Sequence, residues 1–163
     1  MSPASLTSNS HLDPPYGAHP TIVTDIQISI PPRFNPSATV TPCSLYLQYR
    51  LPPLLFVDAY ELAMRTRDYN VTSLRGSGSK ELEKPVHALP VSSEPDGVEL
   101  VIQKTLPADT HPTREIQVQL PIHVRYGKAD PAGSTIVDFS SPQIVLVCPR
   151  DSHGTCLHSP TLK

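Results

Sequence analysis

The sequence predicts an all-β fold: a single antiparallel, β-sandwich-like domain with one short helical turn near residues 59–66. Apolar and polar residues alternate over several short runs, which is the pattern of strands buried on one face. The 163 residues include 20 prolines and seven glycines, and because proline disrupts helix interiors, long helices are not expected. The composition, 38% hydrophobic and 17% charged, suits a folded core of modest size.

Short runs with turn signals between them account for the predicted strands. Alternation over residues 22–30, 45–51 and 98–103 predicts three half-buried strands. The run 144–147 is entirely apolar and predicts a further strand, which ends at Cys148. Several short strands with almost no helix are typical of an antiparallel sandwich.

The longest alternation covers residues 116–126. Pro121 lies inside it, and because proline has no backbone N–H to donate, it predicts an edge strand or a bulge. Continued alternation places His123 and Arg125 on the polar face and Tyr126 on the apolar one.

The ends of the chain lack this periodicity. Residues 1–19 are rich in Ser, Pro and small residues and are expected to form a disordered arm. Residues 20–148 are expected to form the β domain. Residues 149–163 are expected to be an irregular tail.

The segment 54–62 joins four apolar residues to the sequence D-A-Y-E-L, which predicts a strand that runs into a helical turn. Asp58 is expected to cap the turn, and Glu61 to favour its first turn, near the positive end of the helix dipole. The alternative is an acid–base pair formed by these two carboxylates. Packing alone predicts burial of four nearby side chains. These are Phe56, Tyr60, Leu62 and Tyr126.

Most chemical functions find no support in the sequence. The net charge of −2 comes without clustered Lys and Arg, so no nucleic-acid partner is expected. There is no G-x-S-x-G motif of a hydrolase nucleophile, and the Gly-Ser repeat at 76–79 lacks the ending of a phosphate-binding loop.

Four potential zinc ligands near the C-terminus have a spacing that matches no common zinc site. They are Cys148, His153, Cys156 and His158. Catalytic, cofactor-binding and metal-binding residues are therefore not expected.

Two blocks of sequence together resemble the PIG-X family, including its fungal counterparts. The first is C-S-L at residues 43–45 with L-F-V-D-A-Y-E-L at 55–62. The second is L-P-I-H-V-R-Y-G at 120–127, followed by the strand that ends at Cys148. The resemblance covers about residues 20–148, and Ala59 stands where the family usually has proline.

The resemblance implies a non-catalytic accessory subunit of glycosylphosphatidylinositol (GPI) mannosyltransferase I. Such a subunit would stabilise a polytopic, PIG-M-like catalytic partner, which transfers the first mannose from dolichol-phosphate-mannose to the GPI precursor. It would lie on the luminal side of the endoplasmic reticulum (ER) membrane. The sequence shows no signal peptide and no C-terminal transmembrane helix, so we expect either a fragment or truncated gene product, or a luminal domain presented without its anchor. The membrane contact would then run through the partner or a missing anchor. The alternatives are a free-standing β-sandwich protein-binding module without a membrane partner and, third, a small hydrolase.

The resemblance also marks candidate interaction residues. His123 and Arg125 are expected to join Asp58 and Glu61 in a polar cluster that either faces the partner or braces a loop. The full set of motif candidates is Phe56, Val57, Asp58, Tyr60, Glu61, Leu62, Pro121, His123, Arg125 and Tyr126.

Two covalent features stay open at this point. The triplet Asn70-Val71-Thr72 is an acceptor for N-glycosylation if the chain enters the secretory pathway. Three cysteines allow at most one disulfide, and pairing of Cys43 with Cys148, leaving Cys156 free, is one candidate. Such a bond would close a long loop and stabilise the fold by about 4–5 kcal/mol.

Overall fold

The computed structural model describes residues 5–29, 42–89, 96–107, 113–134 and 136–148, together with the backbone of 156–158. Within these ranges strands are the main regular structure, and there is one short α-helix. The strands form a three-stranded sheet, a five-stranded sheet and a two-stranded ribbon. All strand pairs are antiparallel. The predicted all-β, sandwich-like fold is confirmed.

The elements follow one another in this order: β1 (Ser5–Asp13), β2 (Thr21–Ser29), β3 (Ser44–Leu51), β4 (Leu55–Phe56), α1 (Ala59–Ala63), β5 (Asn70–Arg75), a 3₁₀ turn (Val86–Ala88), β6 (Val98–Thr105), β7 (Thr113–Pro121), β8 (His123–Val124), β9 (Gln143–Val147) and β10 (Cys156–His158).

The three-stranded sheet has the order β1-β2-β7, with β2 in the centre. In β2 the isoleucines face the core, while Asp25 and Gln27 alternate with them and are exposed. β7 is an edge strand of this sheet and ends at Pro121, which lies opposite Thr21 of β2. An edge position needs no N–H from proline on its open side, so the edge predicted from Pro121 is confirmed.

The five-stranded sheet has the order β10-β9-β3-β6-β5. Its inner face carries the alternating apolar residues of β3 and β6, together with two from β9. The residues of the two sheets form one continuous hydrophobic cluster, so the sheets pack face to face. Each fully buried Ile or Leu in such a core contributes about 1.5–3 kcal/mol relative to exposure.

One polar contact crosses the core between the sheets. The hydroxyl groups of Thr24 on β2 and Tyr49 on β3 lie 3.2 Å apart, and the Ser10 hydroxyl of β1 lies 3.0 Å from that of Thr24. Burial raises the pKa of the Tyr49 phenol well above its ordinary value, so it stays neutral and can donate. The contact satisfies groups that would otherwise be buried without partners.

The N-terminal segment differs from the prediction of a disordered arm at residues 1–19. Ser5–Asp13 form β1, which pairs with β2 along its whole length. Leu6 is buried and Leu12 packs against the core, but serines occupy the inward positions between them. The burial of β1 thus alternates as in a strand, although its amino-acid composition is typical of a loop.

The C-terminal tail, residues 149–163, was predicted to be irregular. Within it, Cys156–His158 form β10, which pairs with β9. The rest of 149–163 lies outside the described residues.

A disulfide joins the flanks of β3 and β9. Cys43 precedes β3 and Cys148 follows β9, and the register places the adjacent Ser44 opposite Val147. The sulfur atoms are 2.12 Å apart and the bond spans a sequence separation of 105 residues. The antiparallel pairing itself therefore brings the two cysteines together.

No helix within the described residues is long and apolar enough to cross a membrane.

Gly97 lies in close contact with the backbone at the end of β3. Its φ is +84°, and a Cβ placed there would lie 2.1 Å from the carbonyl oxygen of Leu51. Its N–H donates to the Ser77 hydroxyl at 3.2 Å, and its carbonyl accepts from the Gly78 N–H at 3.0 Å. The start of β6 thus fits against the end of β3 only because this residue has no side chain.

Gly97→Ala is therefore expected to lower the free energy of unfolding by about 3 kcal/mol or more, since both strain and a backbone clash must be accommodated. Gly133 is the matched control, because its φ is +69° and nothing lies within 4 Å of its would-be Cβ. Gly133→Ala is expected to cost only about 1–2 kcal/mol. Urea unfolding of both variants measures these changes. Equal losses of unfolding free energy in the two variants would contradict a backbone clash at Gly97.

Candidate functional site

The two sequence blocks that carry the resemblance meet in the short ribbon of β4 and β8. Leu55 lies opposite Val124 and Phe56 opposite His123. The Arg125 N–H extends the pairing by donating to the Leu54 carbonyl at 2.8 Å. We call this pair of strands the motif ribbon.

Helix α1 begins directly after β4. Asp58 is its N-cap, in extended conformation, and its side chain accepts the Tyr60 N–H at 2.8 Å. Glu61 lies in the first turn and Leu62 is fully buried. The capping interpretation of Asp58 is confirmed, and the buried Leu62 fixes the helix against the core.

His123 connects three segments. Its Nε2 lies 2.9 Å from a carboxylate oxygen of Glu61 on α1, and its Nδ1 lies 2.8 Å from Nδ1 of His19. Its ring stacks on Phe56 with centroids 5.0 Å apart. The residues around His19 are also bound to the β7–β8 region, since the carbonyls of Ala18 and Pro20 accept N–H groups there at 2.9 and 3.0 Å. His123 therefore holds the β1–β2 connection, α1 and the motif ribbon together.

Arg125 is buried, with 4% of its surface exposed, and braces the segment 76–89. Its Nη2 donates to the Gly78 carbonyl at 2.6 Å, and its Nη1 donates to the carbonyls of Lys84, at 2.9 Å, and of Glu81. A weaker contact to the Leu82 carbonyl measures 3.3 Å. The guanidinium carbon lies 4.5 Å from the centroid of the Phe56 ring, which adds a cation–π contact.

The charge of Arg125 is balanced mainly by backbone dipoles. Burial lowers the pKa of its guanidinium, while the nearby Glu81 carboxylate acts in the opposite direction. Arginine nonetheless stays protonated at any physiological pH. A permanent buried cation thus holds several backbone carbonyl groups of the segment 76–89 in place.

The structure corrects the expected orientation of the second block. Arg125 is buried and Tyr126 is 84% exposed, which reverses the predicted faces. The chain changes its pairing partner after Pro121, from β2 to β4, so the alternation of β7 does not continue through Tyr126. In the first block Leu62 is buried as expected, Phe56 is half-buried, and Tyr60 is 82% exposed.

The remaining candidate residues take no part in these polar contacts. Val57 belongs to the hydrophobic core, and Asn70 is exposed at the start of the edge strand β5. Sequence reasoning missed His19, which lies in a Pro- and Gly-bearing connection without any periodic pattern.

His123 and Arg125 were expected to cluster with Asp58 and Glu61. The structure brings together only His123 and Glu61 by a direct contact, while Arg125 binds a loop and Asp58 caps α1.

The polar groups of the corner are engaged in contacts within the domain. The Glu61 carboxylate, the His123 ring and the Arg125 guanidinium each have partners within the chain. Within the described residues no group of three or more His, Cys, Asp and Glu is placed to hold a metal ion. Of the four residues considered as zinc ligands, Cys148 is bound in the disulfide and His153 lies outside the described part. The arrangement supports a structural corner with an exposed outer surface.

Comparison with known proteins yields two findings. A protein-family model described as PIG-X / PBN1 matches residues 15–161. The chain is also similar to Protein PBN1 of the fungus Gibberella zeae, with 29% identity over 149 residues. That alignment covers 90% of this chain and 28% of the relative, so the chain spans little more than a quarter of the relative's length.

Arg125→Lys is expected to lower the free energy of unfolding by at least about 1.5 kcal/mol, because an ammonium group cannot reproduce the planar fork that reaches several carbonyls. Arg125→Met is expected to cost more, since it leaves those carbonyls without a donor. Arg67→Lys, at an exposed position, is the matched control and is expected to stay within about 0.5 kcal/mol. Urea unfolding measures all three, and equal stability of the two lysine variants would contradict the bracing role.

Proposed function

The chain belongs to the PIG-X/PBN1 family, and from that premise we propose that it acts as a non-catalytic subunit that stabilises GPI mannosyltransferase I. In this proposal a polytopic, PIG-M-like partner carries the catalytic residues and transfers the first mannose from dolichol-phosphate-mannose to the GPI precursor. The observation that carries the proposal is the family match over residues 15–161.

The use that the fold makes of the motif residues supports a role in binding over a role in chemistry. Asp58 caps α1, Leu62 anchors it, His123 joins three segments and Arg125 braces a loop. These side chains are engaged within the domain and make its corner rigid. A rigid corner loses little conformational entropy when it binds a partner, which favours a stabilising interaction.

Two features support a location in the ER lumen. The Cys43–Cys148 disulfide is of a kind that persists in oxidising compartments, of which the ER lumen is one. Asn70, the acceptor of the glycosylation triplet, is exposed at the start of β5, where a glycan can project into solvent.

In cells depleted of their own accessory subunit, the chain directed to the ER lumen is expected to restore the level of the catalytic mannosyltransferase. The reason is that the catalytic subunit gains binding free energy in the complex, which lowers its unfolded population. Immunoblotting of the catalytic subunit and labelled-mannose incorporation into GPI precursors measure the effect. A folded, luminal chain that leaves both readouts at the depleted level would contradict the proposal and favour a free-standing binding module.

The proposed compartment has its own readout at Asn70. The chain made in the secretory pathway is expected to carry an N-glycan there, seen as an endoglycosidase-sensitive mass shift. Asn70→Gln is expected to abolish the shift while leaving the fold intact, because the side chain is exposed. Asn9→Gln, at another exposed asparagine outside any acceptor triplet, is the control and should retain the shift. A wild-type chain of unmodified mass in that pathway would show that Asn70 is not an acceptor.

A further inference from the structure

Two imidazole rings meet where the β1–β2 connection, residues 14–20, lies against the motif ribbon. Nδ1 of His19 is 2.8 Å from Nδ1 of His123, and the two rings are nearly perpendicular, with centroids 4.8 Å apart. We call these two residues the histidine pair. A hydrogen bond between two ring nitrogens needs one donor and one acceptor, so a single proton lies between them. The number of protons that the pair carries therefore decides whether this contact can form.

Glu61 fixes the arrangement of protons in the neutral pair. One of its carboxylate oxygens lies 2.9 Å from Nε2 of His123, and an ionised carboxylate can only accept a hydrogen bond. Nε2 of His123 therefore bears a proton, which leaves Nδ1 of the neutral ring as an acceptor. His19 then donates from its own Nδ1. Each ring nitrogen that takes part in these contacts has a partner of the right kind.

The histidine pair can accept one additional proton without losing its contact, but it cannot accept two. With one additional proton, one ring is a cation that donates and the other is a neutral ring that accepts. With two, both Nδ1 atoms carry hydrogen, so two N–H groups of like charge face each other with no acceptor between them. Double protonation therefore breaks the contact.

The charged groups around the pair favour this release. Among the described residues, the carboxylate in contact with the pair is that of Glu61, while Asp58 of α1 caps its own helix. Arg125 lies over the Phe56 ring, on which His123 also stacks. The second imidazolium ring would thus form near a guanidinium, with a carboxylate that already binds the first ring.

The contact lies within a stretch of backbone that depends on few other bonds. The Val124 N–H donates to the Ala18 carbonyl at 2.9 Å, and the Ile122 N–H donates to the Pro20 carbonyl at 3.0 Å. His19 lies between these two acceptors in sequence. Repulsion at its side chain therefore acts directly on the two backbone hydrogen bonds that hold the connection to the ribbon.

We propose that the histidine pair is a pH-sensitive switch, which holds the β1–β2 connection against the motif ribbon near neutral pH and releases it when both rings are protonated. Histidine gains its proton between about pH 8 and pH 5, so the switch responds within the physiological range. Because the released form binds one more proton than the held form, acid favours release and a rise in pH restores the contact. This inference concerns the chain by itself and does not rest on the proposed function.

Native-state hydrogen exchange of the full chain at about pH 7.5 and about pH 5.5 tests the switch. Protection factors, which are corrected for the intrinsic pH dependence of exchange, are expected to fall about tenfold at the lower pH for the amides of Ile122 and Val124. The reason is that one proton shifts an equilibrium by up to about tenfold per pH unit. Amides of β3 and β6 are the internal reference, and their protection should change by less than about twofold.

The variant His19→Asn removes the titrating group and keeps the contact. The asparagine amide offers both a donor and an acceptor close to the position of Nδ1, so it pairs with His123 in either protonation state. Ile122 and Val124 are expected to stay protected at both pH values in this variant. His11→Asn, at another exposed histidine, is the matched control and should retain the fall of about tenfold.

Unchanged protection of Ile122 and Val124 at the lower pH in the wild type would overturn the proposal. An equal fall in the reference strands would overturn it as well, because the whole domain would then be losing stability. A fall of the same size in His19→Asn would assign the effect to another group. If that variant folds poorly, imidazole ¹⁵N spectra of the wild type decide the question: release requires both rings of the pair to be cations, and loss of protection while one ring stays neutral would overturn the switch.

Discussion

The buried guanidinium of Arg125 is the interaction on which the corner of this domain depends. Its planar fork binds carbonyls of Gly78, Glu81 and Lys84, while Phe56 covers its face. The same loop is tied to the start of β6, since the Gly78 N–H donates to Gly97. Among the described residues no carboxylate contacts this cation directly. Converging backbone dipoles stabilise it instead, so the loop and the cation require each other.

The two motif blocks are about sixty residues apart in sequence but adjacent in the fold, and this adjacency explains their composition. Phe56 provides a ring against which both His123 and Arg125 pack. Asp58 starts α1 at the angle that brings Glu61 to His123. These polar residues maintain the shape of the corner, and the apolar residues of the same blocks divide between the core and the surface.

The elements that depend on local chemistry could be predicted from the sequence. Alternation identified β2, β3, β6 and β7, and a continuous apolar run identified β9. Pro121 indicated an edge and Asp58 a cap. Each of these signals acts within a few residues. The features that could not be predicted depend on contacts between distant segments. β1 was missed because serines fill its inward positions and its pairing with β2 supplies most of its order. The burial of Arg125 and the exposure of Tyr126 follow from a change of pairing partner after Pro121, which no periodic pattern reveals.

Native-state hydrogen exchange tests the bracing role of Arg125 most directly. In the Arg125→Lys variant the amide protons of Gly78 and Val86, which donate to Gly97 and Tyr126, are expected to lose more protection than amides of β2 and β3. This result would show that the cation holds the loop and the corner as one local unit. Unchanged protection of the loop amides, or an equal loss throughout the domain, would contradict this account.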